Sequence, residues 1–288
     1  MSTIKQGDEV LRRYIDFLRE KGINNYVSLP EIAVMGDTSS GKSSLLSAIT
    51  QIQLPSNDKI TTRCPLRLRM EESDQVKAVI RIRWDSTLPE VSGTPWAEVK
   101  IDTWEGVDEH IASAQQAILD ERAVAVASDV VEVDVYGPSC LNLTVIDLPG
   151  IVRSVGKSES ATLIEDIKKL TRSYLDNPRC VILAVHPANV DFHNSQIMHD
   201  AKEVDPATAR TIPVITKPDQ IDSGAEGNVH DLLLGKLMEF DMGFHMVKCR
   251  GQKDLNDGKT LQQGLEDEQT FFAKTAPWKD EPNSKLFG

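Results

Sequence analysis

Short apolar runs alternate with longer segments in which apolar positions recur every three or four residues, the pattern of strands and helices taken in turn. IAVM (32–35) predicts a short strand, and SLLSAI from Ser44 has the spacing of a helix. Between Pro65 and Leu143 the chain turns β-rich: LRLRM (66–70) and VKAVIRIRW (76–84) alternate with period two, as strands with one solvated face do. Trp96 to Ile101 predicts another short strand, and 107–123 an amphipathic helix. VVEVDVYG (130–137) and LNLTVIDLPG (141–150) predict a hairpin-like pair around Pro138 and Ser139. A helix over 161–176, the buried parallel strand CVILAV (180–185), a helix from about 194 to 204, the strand TIPVI (211–215), a helix near 229–240 and the strand FHMVKC (244–249) follow. Ahead of them, residues 8–21 set Val10, Leu11, Tyr14, Ile15, Phe17 and Leu18 near one helical face, and Gly22 stops that helix. The tail from Phe271 is rich in proline and charge and predicts disorder beyond about Trp278.

Composition narrows the picture. Of 288 residues, 40% are hydrophobic and 26% charged, as in an ordinary globular protein. The net charge of −12 disfavours a general nucleic-acid or anionic-membrane binder. Cys64, Cys140, Cys180 and Cys249 lie far apart with no C-x-x-C pair, which suggests free thiols rather than a disulfide framework or a zinc site. The first ten residues lack the apolar core of a secretion signal, and no apolar run approaches the length of a bilayer. A cytoplasmic protein is the expectation.

The chemistry starts at Gly36 to Ser43, GDTSSGKS, which fits the phosphate-loop pattern G-x-x-x-x-G-K-[ST] between a strand and a helix. Gly36, Asp37, Thr38, Ser39, Ser40, Gly41 and Ser44 would wrap phosphate oxygens in backbone N–H groups; Lys42 would reach the β- and γ-phosphates, and Ser43 would bind Mg²⁺. The turn-rich stretch 54–64 carries Thr62, a candidate switch threonine for Mg²⁺ and the attacking water, followed by Arg63. Asp147-Leu148-Pro149-Gly150 ends an apolar strand about a hundred residues later: Asp147 would hold Mg²⁺ through water and the Gly150 N–H would bond the γ-phosphate. Residues 151–160 read as a second switch. Thr216-Lys217-Pro218-Asp219 then specifies the base. The Asp219 carboxylate can accept from guanine N1–H and its exocyclic amine while the Lys217 stem lies over the ring; adenine offers no such donor pair. Arg250, Gly251 and Gln252 fall where a last loop would cover the base. The resulting fold class is α/β: a Ras-like P-loop nucleotide-binding fold with a mixed, mainly parallel sheet and helices on both faces.

These motifs, in this order and spacing, resemble the GTPase domain of the dynamin superfamily; GDTSSGKSSLLSAI, the LP…TTRCPL stretch, VDPATARTIPVITKPD and VKCRGQ are most similar to its Mx and Mx-like branch. The resemblance spans nearly all of residues 8–275. It implies a dynamin-type extended GTPase domain over 23–278, a bundle-type helix over 1–22 and a tail over 279–288. It further implies hydrolysis of GTP to GDP and phosphate, with Mg²⁺ and a monovalent cation, stimulated when two such domains pair across the nucleotide. Lys42, Ser43, Thr62, Thr38, Ser39 and Gly150 would be catalytic, and Asp191 and Asp222 would face the partner. Pairing with a longer relative, and association with microtubules or membranes, are implied by resemblance only.

Three departures bear on that expectation. Thr38 stands where most relatives place a water-positioning glutamine. Asn57-Asp58-Lys59 replaces Gly-Ser-Gly, so the Lys59 ammonium is a candidate stand-in for the monovalent cation. Residue 288 precedes the stalk of longer relatives, so stalk-driven assembly is not expected of these residues. The alternative reading is a GTP-regulated interaction module with negligible hydrolysis.

Overall fold

The computed structural model describes residues 31–55, 62–91, 96–138, 140–151, 162–192, 195–281 and 286–287. The expected helix over 8–21, the residues 152–160 and Lys59 lie outside them. Among the described residues no helix is long and apolar enough to cross a membrane.

Among the described residues nine strands form one sheet: β1 (Glu31–Gly36), β2 (Leu66–Glu72), β3 (Lys77–Arg83), β4 (Val99–Ile101), β5 (Val130–Gly137), β6 (Leu143–Asp147), β7 (Cys180–Pro187), β8 (Thr211–Thr216) and β9 (His245–Met246). Their order is β4-β3-β5-β2-β6-β1-β7-β8-β9. From β6 to β9 every pairing is parallel. The carboxyl ends of four strands, at Gly36, Asp147, Pro187 and Thr216, therefore lie on one edge, where open α/β sheets bind ligands. Among the described residues seven α-helices accompany the sheet: α1 (Lys42–Thr50), α2 (Val107–Arg122), α3 (Leu163–Leu175), α4 (Gln196–Val204), α5 (Glu226–Leu233), α6 (Gln252–Asn256) and α7 (Leu261–Lys274). Because strand side chains alternate, β1 serves two cores: Val34 packs with Leu46, Leu68, Ile111 and Val133, whereas Ala33 and Met35 pack with Ile146, Ile182, Ile197 and Phe244.

Several expectations change. β5 and β6 run in opposite directions but do not pair as a hairpin, because β2 lies between them, parallel to β5 and antiparallel to β6. That insertion satisfies both edges of β2. The helix expected near 229–240 begins earlier and ends at Leu233, with Gly235 (φ 71) turning the chain. Only His245 and Met246 of FHMVKC pair as a strand. The chain also forms α7, opened by a capping box between Thr260 and Gln263. Its polar run QQGLEDEQ, interrupted by Gly264, hides the helical period. Beyond Trp278, where composition predicts disorder, the described residues fold back: Trp278 is buried, and Phe287 stacks on Phe272 with 4.5 Å between ring centroids and bridges Met246. The apolar area of two aromatic rings outweighs the polar composition around them.

The polar face of β2, β3 and β5 is only partly solvated, with Arg83 exposed at its margin and its centre buried. Register sets Arg67, Glu132 and Arg81 side by side across three strands. Glu132 accepts from Arg67 Nη1 at 3.0 Å, Arg81 Nε at 2.9 Å and Arg83 Nε at 2.9 Å, and Arg81 also donates to Asp134. Arg67, Glu132 and Asp134 are buried, so each charge depends on its neighbours. Burial alone would raise the Glu132 carboxyl, but Arg67, Arg81 and Arg83 overcome it and hold the group below its ordinary 4.5.

A carboxyl depressed on folding stabilises the protein above its unfolded value and loses that contribution as the pH falls through the folded one. Glu132→Gln should therefore cost about 3 kcal/mol near neutral pH, the scale of one partner removed from a buried pair. Denaturant unfolding should show the gap between the two proteins narrowing below pH 4.5.

Candidate functional site

The glycine loop begins where β1 ends. Ser39 (φ 62) and Gly41 (φ 99) take left-handed conformations that curl residues 37–41 back to the first turn of α1. A Cβ on Gly36 would stand 2.9 Å from the Val185 carbonyl oxygen of the neighbouring strand, so β1 and β7 leave room for glycine alone. Gly150 presses the same way from the opposite side; a Cβ there would lie 3.0 Å from Lys42 Nζ and 3.2 Å from Thr38. The loop is fastened at both flanks. Thr38 N donates to the Ile151 carbonyl and Ile151 N to that of Gly36, each at 3.1 Å. Thr216 Oγ1 donates to the Ser40 carbonyl at 2.6 Å, and Lys217 Nζ to the Ser39 carbonyl at 2.8 Å. The element read for the base is thus also a clamp on the loop read for phosphates.

Lys42 is buried, and its ammonium donates to the Gly36 and Asp37 carbonyls at 3.1 and 3.2 Å. Burial lowers its pKa against the opposing pull of Asp147 and Asp37. Asp147 is buried beside it, and burial raises its carboxyl to about 6 despite Lys42 and the Thr62 hydroxyl, which donates to Oδ2 at 3.1 Å. Both charges are under-solvated, so an anion at Lys42 and a cation at Asp147 would each relieve a desolvation cost. The remaining oxygen, Asp147 Oδ1, is buried with no hydrogen-bond partner. An orphan carboxylate oxygen beside the Thr62 hydroxyl offers hard oxygen donors of the kind that fit Mg²⁺.

The base-side elements gather on the same edge. Asp219 is exposed just past the end of β8, and the 248–252 loop follows β9, the parallel neighbour of that strand. Gly251 and Gln252 are exposed at the start of α6, with Gly251 N donating to Asp254 Oδ2 at 2.9 Å. Arg250 behaves otherwise: its guanidinium donates to the Lys259 carbonyl at 2.7 Å and to Gln53 Oε1 at 2.6 Å, away from the exposed face of the loop. Arg63 is half-buried, and its carbonyl accepts from Ala127 N at 3.1 Å, which pins the chain just after Thr62. Asp191 and Asp222 are exposed on the loops after β7 and β8, and Asn189 Nδ2 bonds Gln220 Oε1 between those loops at 3.3 Å. The motifs do not point to Gln53, Gly264 or Glu268, although a glycine inside an otherwise helical stretch was the visible cue for Gly264.

Residues 32–218 match the Dynamin family, and residues 228–285 match the Dynamin central region. The chain is 35% identical over 261 residues to the interferon-induced GTP-binding protein Mx of Perca fluviatilis, covering 90% of this chain and 82% of that one. It is 37% identical over 261 residues to interferon-induced GTP-binding protein Mx1 of Equus caballus, covering 90% and 38%. Against Mx1 of Rattus norvegicus the identity is 36% over 258 residues, covering 90% and 38%. The chain thus spans well under half the length of the horse and rat proteins.

Thr216→Val keeps the shape and removes the bond to Ser40. It should cost about 1 kcal/mol of stability and weaken nucleotide binding several-fold, while Thr216→Ser stays near wild type in denaturant and binding titrations. Gly36→Ala, which sets a methyl against the backbone of β7, should abolish binding outright.

Proposed function

The chain belongs to the dynamin family, and on that premise we propose that it binds GTP with Mg²⁺ and hydrolyses it to GDP and phosphate. The observation that carries this reading is the convergence of Lys42, the Asp147–Thr62 pair and the Lys217–Asp219 element on one edge of the sheet. The distance from phosphate loop to base element is set by the parallel register of β1, β7 and β8. A nucleotide spanning that edge meets a cation at its phosphates and an exposed carboxylate at its base.

Each residue then has a task. The amides of 37–43 and the Lys42 ammonium hold the phosphate oxygens as charge shifts onto them, an electrostatic contribution prepaid in the fold. Ser43, Thr62 and Asp147 would hold Mg²⁺, which when bound would supply positive charge against the phosphate oxygens. The Thr62 backbone and hydroxyl orient the attacking water, and the Gly150 N–H bonds the γ-phosphate. Asp219 selects guanine by accepting two hydrogen bonds that adenine cannot supply.

Turnover rises when two copies pair across the nucleotide, with Asp191 and Asp222 facing the partner; the exposure of both is consistent with that arrangement. A monovalent cation near Ser39, or the Lys59 ammonium in its place, completes the charge balance, and the chain acts in the cytoplasm. Mixed pairing with a longer relative through these same domains is a further partner of this reading, and association with microtubules or membranes is suggested by the family resemblance only. One observation favours the second reading, a GTP-regulated interaction module with negligible hydrolysis: the Thr38 hydroxyl is turned to the Ile151 carbonyl at 3.4 Å.

Phosphate release from GTP, with ATP as control, should be measured across protein concentrations with and without potassium. A GTP-selective rate that climbs with concentration is the expected result. Binding without turnover at any concentration would leave the module reading, and absence of GTP binding would remove both. Asp219→Ala should weaken GTP binding at least tenfold without improving that of ATP.

A further inference from the structure

We propose that Gln53, Arg250 and Gly264 form a strut that fixes the 248–252 loop, making them positioning residues for recognition of the base; this rests on the guanine-nucleotide reading above. The three line one narrow crevice between α1 and α7. Gln53 lies past the far end of α1, roughly 13 Å of helix from the phosphate loop, and its amide is oriented by donating Nε2 to the Leu54 carbonyl at 3.2 Å. That leaves Oε1 facing Arg250 Nη2 at 2.6 Å. The other arm of the guanidinium takes the Lys259 carbonyl at 2.7 Å.

Gly264 explains why the arginine can lie there. It sits inside α7 with an ordinary helical φ, so no turn requires glycine. A Cβ at this position would meet Arg250 Cγ at 2.7 Å and Cδ at 3.1 Å. One turn further, the buried Glu268 accepts Lys248 N at 2.6 Å, so α7 grips the strand end and the loop at two successive turns. The circuit closes through Lys259, whose ammonium bonds Asp254 and Asp267, while Asp254 receives the Gly251 N–H. The loop that follows Cys249 is therefore held from behind by the end of the phosphate-loop helix and by α7. Substitutions there move the loop without touching a nucleotide.

Two variants separate this strut from ordinary packing. Gln53→Ala removes the acceptor; Gln53→Glu keeps one and should behave as wild type. Gly264→Ala improves the intrinsic helix propensity of α7 while displacing the arginine stem, so its thermal midpoint should hold or rise as function falls. Hydrogen exchange over 248–257 and titration with a fluorescent GTP analogue would be run on the full chain. Gln53→Ala and Gly264→Ala should speed exchange at the α6 amides of Leu255 and Asp257 and weaken analogue binding three- to tenfold. The saturated rate of phosphate release should change by less than twofold. Unchanged exchange and unchanged affinity in both variants would overturn the proposal. So would an equal loss in Gln53→Glu. A wild-type chain that bound no GTP would sink the nucleotide reading instead, and exchange in the variants would still decide whether the strut holds the loop.

Discussion

A buried cation and a buried carboxylate that each feel the other's charge set the terms for this structure. Lys42 and Asp147 attract each other, yet burial pushes both toward their neutral forms, so the pair is not a self-sufficient salt bridge. Holding such a site open requires backbone that cannot collapse onto it. The left-handed turns at Ser39 and Gly41, the bonds through Ile151 and the Thr216 hydroxyl supply that rigidity from three directions. The site is poised to gain from charged ligands because its own charges are imperfectly served.

The sheet divides the labour. Its parallel half brings strand ends together at the loop-bearing edge, while β2, β3, β4 and β5 add a mixed extension that packs one apolar face against α2 and carries an ionic ladder on the other. The knot at Asp205 and Arg210 joins α3, α4, β7 and β8: Asp205 accepts from Ala209 N, Arg210 N and Thr211 Oγ1, and Arg210 caps the Leu175, Cys180 and Val204 carbonyls. That knot accounts for the VDPATART stretch, which precedes the strand that ends in Thr216.

Much of this was legible from residues alone. The strand–loop–helix at 32–50 and the strand running into Thr216 are legible because their apolar runs have the period of the elements they form, and CVILAV reads as a buried strand because both its faces are covered. Strand partnership was not legible. The alternation in β5 and β6 says which residues face inward but not that β2 enters between them, since pairing is decided across sixty residues of intervening chain. Likewise Arg250 reads as a base-covering residue by its place after a strand, and only the position of Gln53 and the bare backbone at Gly264 reveal that its side chain turns the other way. The helix α7 hides because its exposed side is polar and its inner side is interrupted by that glycine.

The ends of the sheet carry one more consequence. β9 has two residues and is bridged at Met246 by Phe287, and β4 has three, covering only Ala78 to Ile80 of β3 and leaving Arg81 and Arg83 beside the uncovered part. Short, capped and arginine-guarded rims are poor templates for strand addition. Copies of this chain are thus discouraged from zipping rim to rim into open-ended ribbons. A sheet so protected keeps its loop-bearing edge clear of strand backbone that a second sheet could extend, so the loops there are free to differ in shape without disturbing the hydrogen bonds of the fold.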